Sequence, residues 1–167
     1  MSLLDKAQKE NFEVLTQGII NEFNKLKPLL ESINTEAIDI VNSDIKVVKD
    51  YYSYALEIIV KSKKENIPTL YIFLSNIETC LALGEWEILK ECCQGEPFDV
   101  EPELKKLEKG FTRICYYDRK NRLLRSSFYY GENNEGKKEN EACANTHGFQ
   151  FFRKTFRTEK AVFNYFK

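Results

Sequence analysis

The sequence predicts an α+β chain in which long N-terminal helices pack on a small antiparallel sheet. Three observations predict it. Apolar residues between positions 12 and 81 recur at alternating three- and four-residue spacings, the signature of a helical seam. A strand-rich run, Phe111 to Tyr117, is followed by a polar turn and a second such run. Charge and aromatic residues change character at the same place. Residues 1–110 hold 13 Lys+Arg against 20 Asp+Glu, and residues 111–167 hold 12 against 6. All six arginines and 13 of the 22 aromatic residues lie in that second part. The expected division is a helical stem over residues 1–97 and an α/β lobe over residues 98–167.

The stem contains three apolar runs. The first is Phe12, Leu15, Ile19, Leu26, Leu29 and Ile33, with Glu22 out of pattern. The second is Ile38, Val41, Ile45, Val48, Tyr52, Ala55 and Ile59. The third is Ile67, Leu70, Leu74, Ile77 and Leu81. Asn34 breaks the phase and is placed to cap a new helix, with Glu36 in its first turn. Pro28 bends or interrupts the first helix unless it starts a new one. Residues 5–62 are read either as a helical hairpin or as one kinked helix of about 85 Å. The polar stretch 61–66 ahead of Pro68 is a break in both cases. A third helix is expected from Pro68 to about Gln94, ended by Gly95 and Pro97.

The second part begins with a short helix at residues 102–107, with Pro102 in its first turn. Residues 111–130 read as a β-hairpin turned by Asp118-Arg119-Lys120-Asn121. Residues 131–145 read as a polar loop and 147–157 as a helix carrying Phe149, Phe152 and Phe156. Thr158-Glu159-Lys160 reads as a turn and Ala161 to Phe166 as a last strand.

Composition excludes several functions. No run of about 18 apolar residues spans a membrane, and no signal peptide is visible. The five cysteines are odd in number and lack C-x-x-C spacing, which argues against a disulfide framework or a zinc site. They fit a reducing compartment. No helix-turn-helix, zinc-finger or RNP motif is present, so nucleic acid is not an expected partner. Phosphate-loop, dinucleotide-binding, zinc-protease and nucleophile-elbow motifs are absent. His147 is the sole histidine. Cys143 lies four residues before it, so a thiolate–imidazole pair and noncovalent haem ligation by His147 are the available chemistries. No cofactor is expected, and the chain is not expected to be an enzyme.

The segment Tyr116-Tyr117-Asp118-Arg119-Lys120-Asn121-Arg122-Leu123-Leu124-Arg125-Ser126-Ser127, followed later by Thr158-Glu159-Lys160-Ala161-Val162-Phe163, resembles the extracytoplasmic PAS-like sensor domains of bacterial chemoreceptors and sensor kinases, the Cache class. Asn121 stands where Gly is commoner in that family, and Asn tolerates the left-handed geometry. Glu159 stands in place of another Gly. The stretch Leu81 to Glu87 also resembles a segment that precedes the sheet in such sensors.

The resemblance implies a ligand-binding sensory domain of a chemoreceptor, histidine kinase or cyclase. Its small anionic ligand, a carboxylate or amino acid, would sit between the sheet and the 131–157 segment. The expected contacts are Tyr117, Arg125, Ser127, Tyr129, Phe149, Phe152 and Arg153, with Arg supplying a planar fork and the aromatic residues the walls. It also implies a homodimer through the helical stem and an extracytoplasmic location at the inner membrane, attached through segments outside this sequence. The cysteines keep a cytoplasmic location open. The alternative is a helical bundle that docks a partner protein and takes no small ligand. A cysteine-dependent enzyme using Cys143 and His147 is a third reading.

Overall fold

The computed structural model describes residues 2–51, 53–65, 67–84, 87–93, 100–130, 140–142 and 154–167. Among them the chain forms two antiparallel sheets with a few helices, so the mixed α+β class holds. The long N-terminal helices do not. One long helix is present, α2 (Gln17–Glu31), preceded by a single turn, α1 (Leu4–Ala7), and a 3₁₀ turn at Phe12–Val14. Residues assigned to helices two and three instead form a five-stranded meander: β1 (Asp44–Lys49), β2 (Tyr54–Val60), β3 (Leu70–Leu74), β4 (Glu78–Leu83) and β5 (Glu87–Cys93).

The correction has a physical cause. Segments 44–49 and 54–60 are rich in Val and Ile, whose branched Cβ restricts χ1 in a helix and packs well on a pleated surface. Turn chemistry cuts the run into strand lengths. Asp50 donates its amide to the Ser53 carbonyl at 2.9 Å, and the Asp50 Oδ1 accepts from the Tyr51 amide. Ser75 repeats the device, its hydroxyl oxygen accepting from the amides of Ile77 and Glu78. Asn34 does not start a helix either. Its Oδ1 accepts from the Glu36 amide and its carbonyl from Ala37 and Ile38, which closes a turn. Spacings of three and four residues then persist across the strands by accident of turn length.

Register fixes which face is apolar. Ile45 pairs with Ile58, Ile58 with Ile72, and Ile72 with Leu81, one row across four strands. Each is at most 1% exposed. Helix α2 contributes Ile19, Phe23, Leu26, Leu29 and Leu30 to the same core, the one-sided stripe of an amphipathic helix. Pro28 lies in its last turn, where little helix remains to be disturbed. Edge strand β1 is covered by the N-terminal segment. The Glu10 Oε2 accepts from the Val47 amide at 2.7 Å, and the Lys6 ammonium donates to the carbonyls of Val41 and Ser43.

The second half is read more faithfully by the sequence. Helix α3 (Glu101–Leu107) carries Pro102 in its first turn, and Gly110, which adopts φ 78°, follows its end. Strands β6 (Phe111–Tyr117) and β7 (Leu123–Tyr130) form the expected hairpin. Asn121 takes φ 61° at its turn, the left-handed geometry anticipated there. β8 (Asn140–Ala142) lies within the segment read as a loop and pairs with β7. The last strand, β9 (Arg157–Phe163), starts earlier than expected and pairs with β6. The order is β8-β7-β6-β9. Thr158-Glu159-Lys160 is therefore strand, not turn. The expected 147–157 helix lies outside the described residues as far as 153, and residues 154–156 are not helical.

The C-terminal residues join the two sheets. Tyr165 is 0% exposed, stacks on Phe111 at 5.3 Å and meets Phe163 edge-on at 4.7 Å. Its hydroxyl donates to the Pro68 carbonyl at 2.5 Å, ahead of β3. The Asn34 amide donates to the Tyr165 carbonyl, and the Lys167 amide to the Ser32 carbonyl, just beyond α2. No helix among the described residues is long and apolar enough to cross a membrane.

Candidate functional site

The β6–β7 turn is organised by one carboxylate. The Asp118 Oδ1 accepts from the amides of Lys120 (2.8 Å) and Arg122 (3.0 Å). Its Oδ2 accepts from Arg122 Nε at 2.9 Å and lies 2.7 Å from the second guanidinium nitrogen. The Asn121 amide closes the turn on the Asp118 carbonyl at 3.0 Å. The Arg122 guanidinium, then the Arg122 and Lys120 amides, hold the Asp118 carboxyl down at about 2. Asp and Asn occupy the positions where a side chain must bond its own backbone and where φ must turn positive.

This turn walls a cleft of about 520 Å³, lined by Asp118, Arg119, Lys120, Arg122, Lys154, Thr155 and Phe156. The far wall arrives through the pairing of β6 with β9, which places Arg157 opposite Tyr117. The Phe156 amide donates to the Tyr117 carbonyl at 2.8 Å, holding the incoming segment against the hairpin end. Among the described residues that line it, four cations therefore face one carboxylate, and that carboxylate is already paired with Arg122. Arg119 lies over the Phe156 ring at 5.8 Å, and Phe156 is 69% exposed. The volume lies in the range of small-molecule sites. Cations converging on a concave surface concentrate anions there.

The seven residues expected to line a pocket are dispersed. Tyr117 is not among the residues that line the cleft; it precedes Asp118 at the end of β6, with Arg157 over its ring at 4.5 Å. Burial, the neighbouring Cys115 and a hydrogen bond with Glu159 raise its hydroxyl to about 12, so it is neutral at physiological pH. Arg125, Ser127 and Tyr129 pair with Tyr116, Ile114 and Thr112, which places them on the opposite face of β6 from Tyr117. Arg125 covers the Tyr116 ring at 4.2 Å, and Ser127 is 2% exposed. Phe149, Phe152 and Arg153 lie outside the described residues, as do Cys143 and His147. Among the described residues no group of three or more His, Cys, Asp or Glu side chains could hold a metal ion.

Sequence reasoning passed over Arg119, Lys120, Arg122, Lys154, Thr155 and Phe156. The signal was present in the basic surplus after residue 110. Turn residues were read only for their backbone role, and Lys154 to Phe156 as part of a helix. What gathers them is a strand pairing between segments about forty residues apart. Comparison with known proteins adds no relative: no family model, no curated protein and no solved structure matches this chain.

Proposed function

We propose that this chain is a non-enzymatic, sensor-type binding domain whose cleft at the β6–β7 turn takes a small anionic molecule. The observation that carries the reading is the lining, which among the described residues sets four cations against a single carboxylate already paired with one of them. Among the described residues no carboxylate pairs with Arg119, Lys120 or Lys154, and all three are exposed. An incoming anion therefore displaces no ion pair at these three side chains. The lining also argues against acid–base catalysis in this cleft. A carboxyl held at about 2 is a poor proton shuttle at neutral pH.

The relay differs from the stem expected at the outset. Phe156 leads directly into β9, and β9 leads into Tyr165, whose carbonyl and neighbours bond Ser32 and Asn34 at the end of α2. An anion that draws Lys154 and Phe156 towards the turn would pull on that continuous segment. Supporting a sensory role is this path, which runs along the chain from the cleft to Tyr165 and then through backbone hydrogen bonds to the end of α2.

Thermal shift and calorimetry on the whole chain test the proposal, with phosphate, pyrophosphate, citrate and glutamate as probes. At a hundredfold excess over Kd, a binding anion should raise Tm by about 5–10 °C. Raising salt should weaken the effect, because the cations are exposed. Arg119→Ala combined with Lys120→Ala and Lys154→Ala should abolish it, and Arg125→Ala should leave it intact. Absence of a shift with every probe sinks the proposal. Loss of binding in Arg125→Ala alone would return the site to the opposite sheet face.

A further inference from the structure

We infer that the anion is the phosphate of a sugar phosphate ester that also bears a planar base, that is, a nucleoside phosphate. This rests on the binding reading above and narrows it. Two features of the cleft ask for different parts of one ligand.

The first is the number of cations. A monocarboxylate is neutralised by one guanidinium or ammonium. Arg119, Lys120 and Lys154 together exceed what it can use. A phosphate monoester carries between one and a half and two negative charges near pH 7, roughly, and offers three acceptor oxygens. Arg supplies a fork that matches two of those oxygens, and Lys supplies a mobile point charge for the third. Hairpin residues and the 154–156 segment approach from opposite walls, so the anion is gripped from both sides.

The second is Phe156. Phe156 is 69% exposed within a cationic cleft. A large aromatic left in water at the mouth of a basic site is a stacking platform, because every nucleobase offers it a π-face. Arg119 lies over the ring at 5.8 Å and is placed to hold the phosphate of a ligand whose base stacks on the ring's exposed area. The Thr155 hydroxyl lies between Lys154 and Phe156 in sequence and lines the same cleft, within reach of a sugar or base edge. A simple inorganic anion would use the cations and leave Phe156 and Thr155 idle.

The chemistry is shared by a free nucleotide and by one nucleotide of a single strand. Calorimetry on the whole chain separates these, using ribose 5-phosphate, a nucleoside, the corresponding nucleoside 5′-monophosphate and a short single-stranded oligonucleotide. The monophosphate should bind at least about tenfold more tightly than ribose 5-phosphate. Phe156→Ala should erase that difference and leave ribose 5-phosphate binding unchanged. The ring is exposed, so the variant keeps its fold. Tighter binding of the oligonucleotide than of the monophosphate identifies a strand as the source, and the reverse identifies a free nucleotide. Equal binding of ribose 5-phosphate and the monophosphate, unaffected by Phe156→Ala, overturns the inference while leaving the anion site standing. Binding of none of the phosphates, with citrate or glutamate still bound, also overturns it. Binding of no anion at all overturns both.

Discussion

In the five-stranded sheet, Ile45, Ile58, Ile72 and Leu81 line up across four strands and are closed over by α2. On its other face the polar groups bond to one another: Lys46 meets Glu57 at 2.6 Å, and the Tyr71 hydroxyl donates to the same carboxylate at 2.9 Å. In the four-stranded sheet, β9 leaves Arg157, Thr158, Glu159 and Lys160 exposed, and at the hairpin end beside it Arg119 and Lys120 are exposed and pair with no carboxylate among the described residues. Both sheets are antiparallel and built largely from neighbouring hairpins. The difference lies in how their charges are used. In the first sheet one carboxylate, Glu57, holds both the Lys46 ammonium and the Tyr71 hydroxyl. The second keeps cations in reserve at one end, which is what a binding surface requires.

The comparison breaks most severely at the joint between the sheets. Tyr165 is wholly buried, packs on Phe111 and Phe163, and bonds Pro68. Tyr165→Ala is expected to cost about 3–5 kcal/mol, the range for deleting a buried aromatic side chain. Tyr165→Phe keeps the ring and leaves the Pro68 carbonyl without its donor, at about 1–3 kcal/mol. Chemical denaturation followed by tyrosine fluorescence and by far-ultraviolet dichroism measures both. If the sheets are coupled through this residue, the two probes give one transition in the parent and separate in Tyr165→Ala. A Tyr165→Ala protein as stable as the parent would mean that the sheets stand independently.

Legibility in the sequence follows the same divide. The β6–β7 hairpin was legible because its information is local: Asp118 bonds the amides of Lys120 and Arg122, and Asn121 tolerates positive φ. Helix α2 was legible in part because Ile19, Leu26 and Leu29 recur on its buried face, although Glu22 fell out of the run and the buried Phe23 and Leu30 were not read in it. The segment from Ile38 to Leu81 misled because seam-like spacing outweighed Val and Ile content and the turns at Asp50 and Ser75. The cleft was hidden for a different reason. Arg119 and Phe156 meet only because β6 pairs with β9, and neither residue carries that pairing in its own neighbourhood.

A smaller effect sharpens the comparison through pH. The Asp118 carboxyl lies at about 2 in the fold against an ordinary 3.8. A depressed carboxyl favours the folded state above its unfolded pKa. That contribution is complete above about pH 4 and fades as pH falls towards 2. Hydrogen exchange of the Lys120 and Arg122 amides should therefore accelerate across this window before the five-stranded sheet opens. Asp118→Asn should remove the pH dependence of that local opening. If the amides of both sheets lose protection together, the hairpin end is not a separate acid-sensitive element.

The smallest effect concerns the shape of the turn itself. At φ 61°, Asn121 occupies a conformation that costs most L-residues about 1–2 kcal/mol and glycine almost nothing. Its amide bonds the Asp118 carbonyl, a contact that any residue but proline supplies. Asn121→Gly should therefore leave stability within about 1 kcal/mol of the parent, since relief of strain is offset by the greater freedom of glycine in the unfolded chain. Asn121→Ala should lose about 1 kcal/mol, and a β-branched residue more. Denaturant midpoints at constant slope give the ranking Gly, then Ala, then Val. A glycine variant less stable than the alanine variant would assign the role to the Asn121 amide side chain instead of to its backbone, and the turn would then owe its form to a side-chain contact as the five-stranded sheet's outer face does.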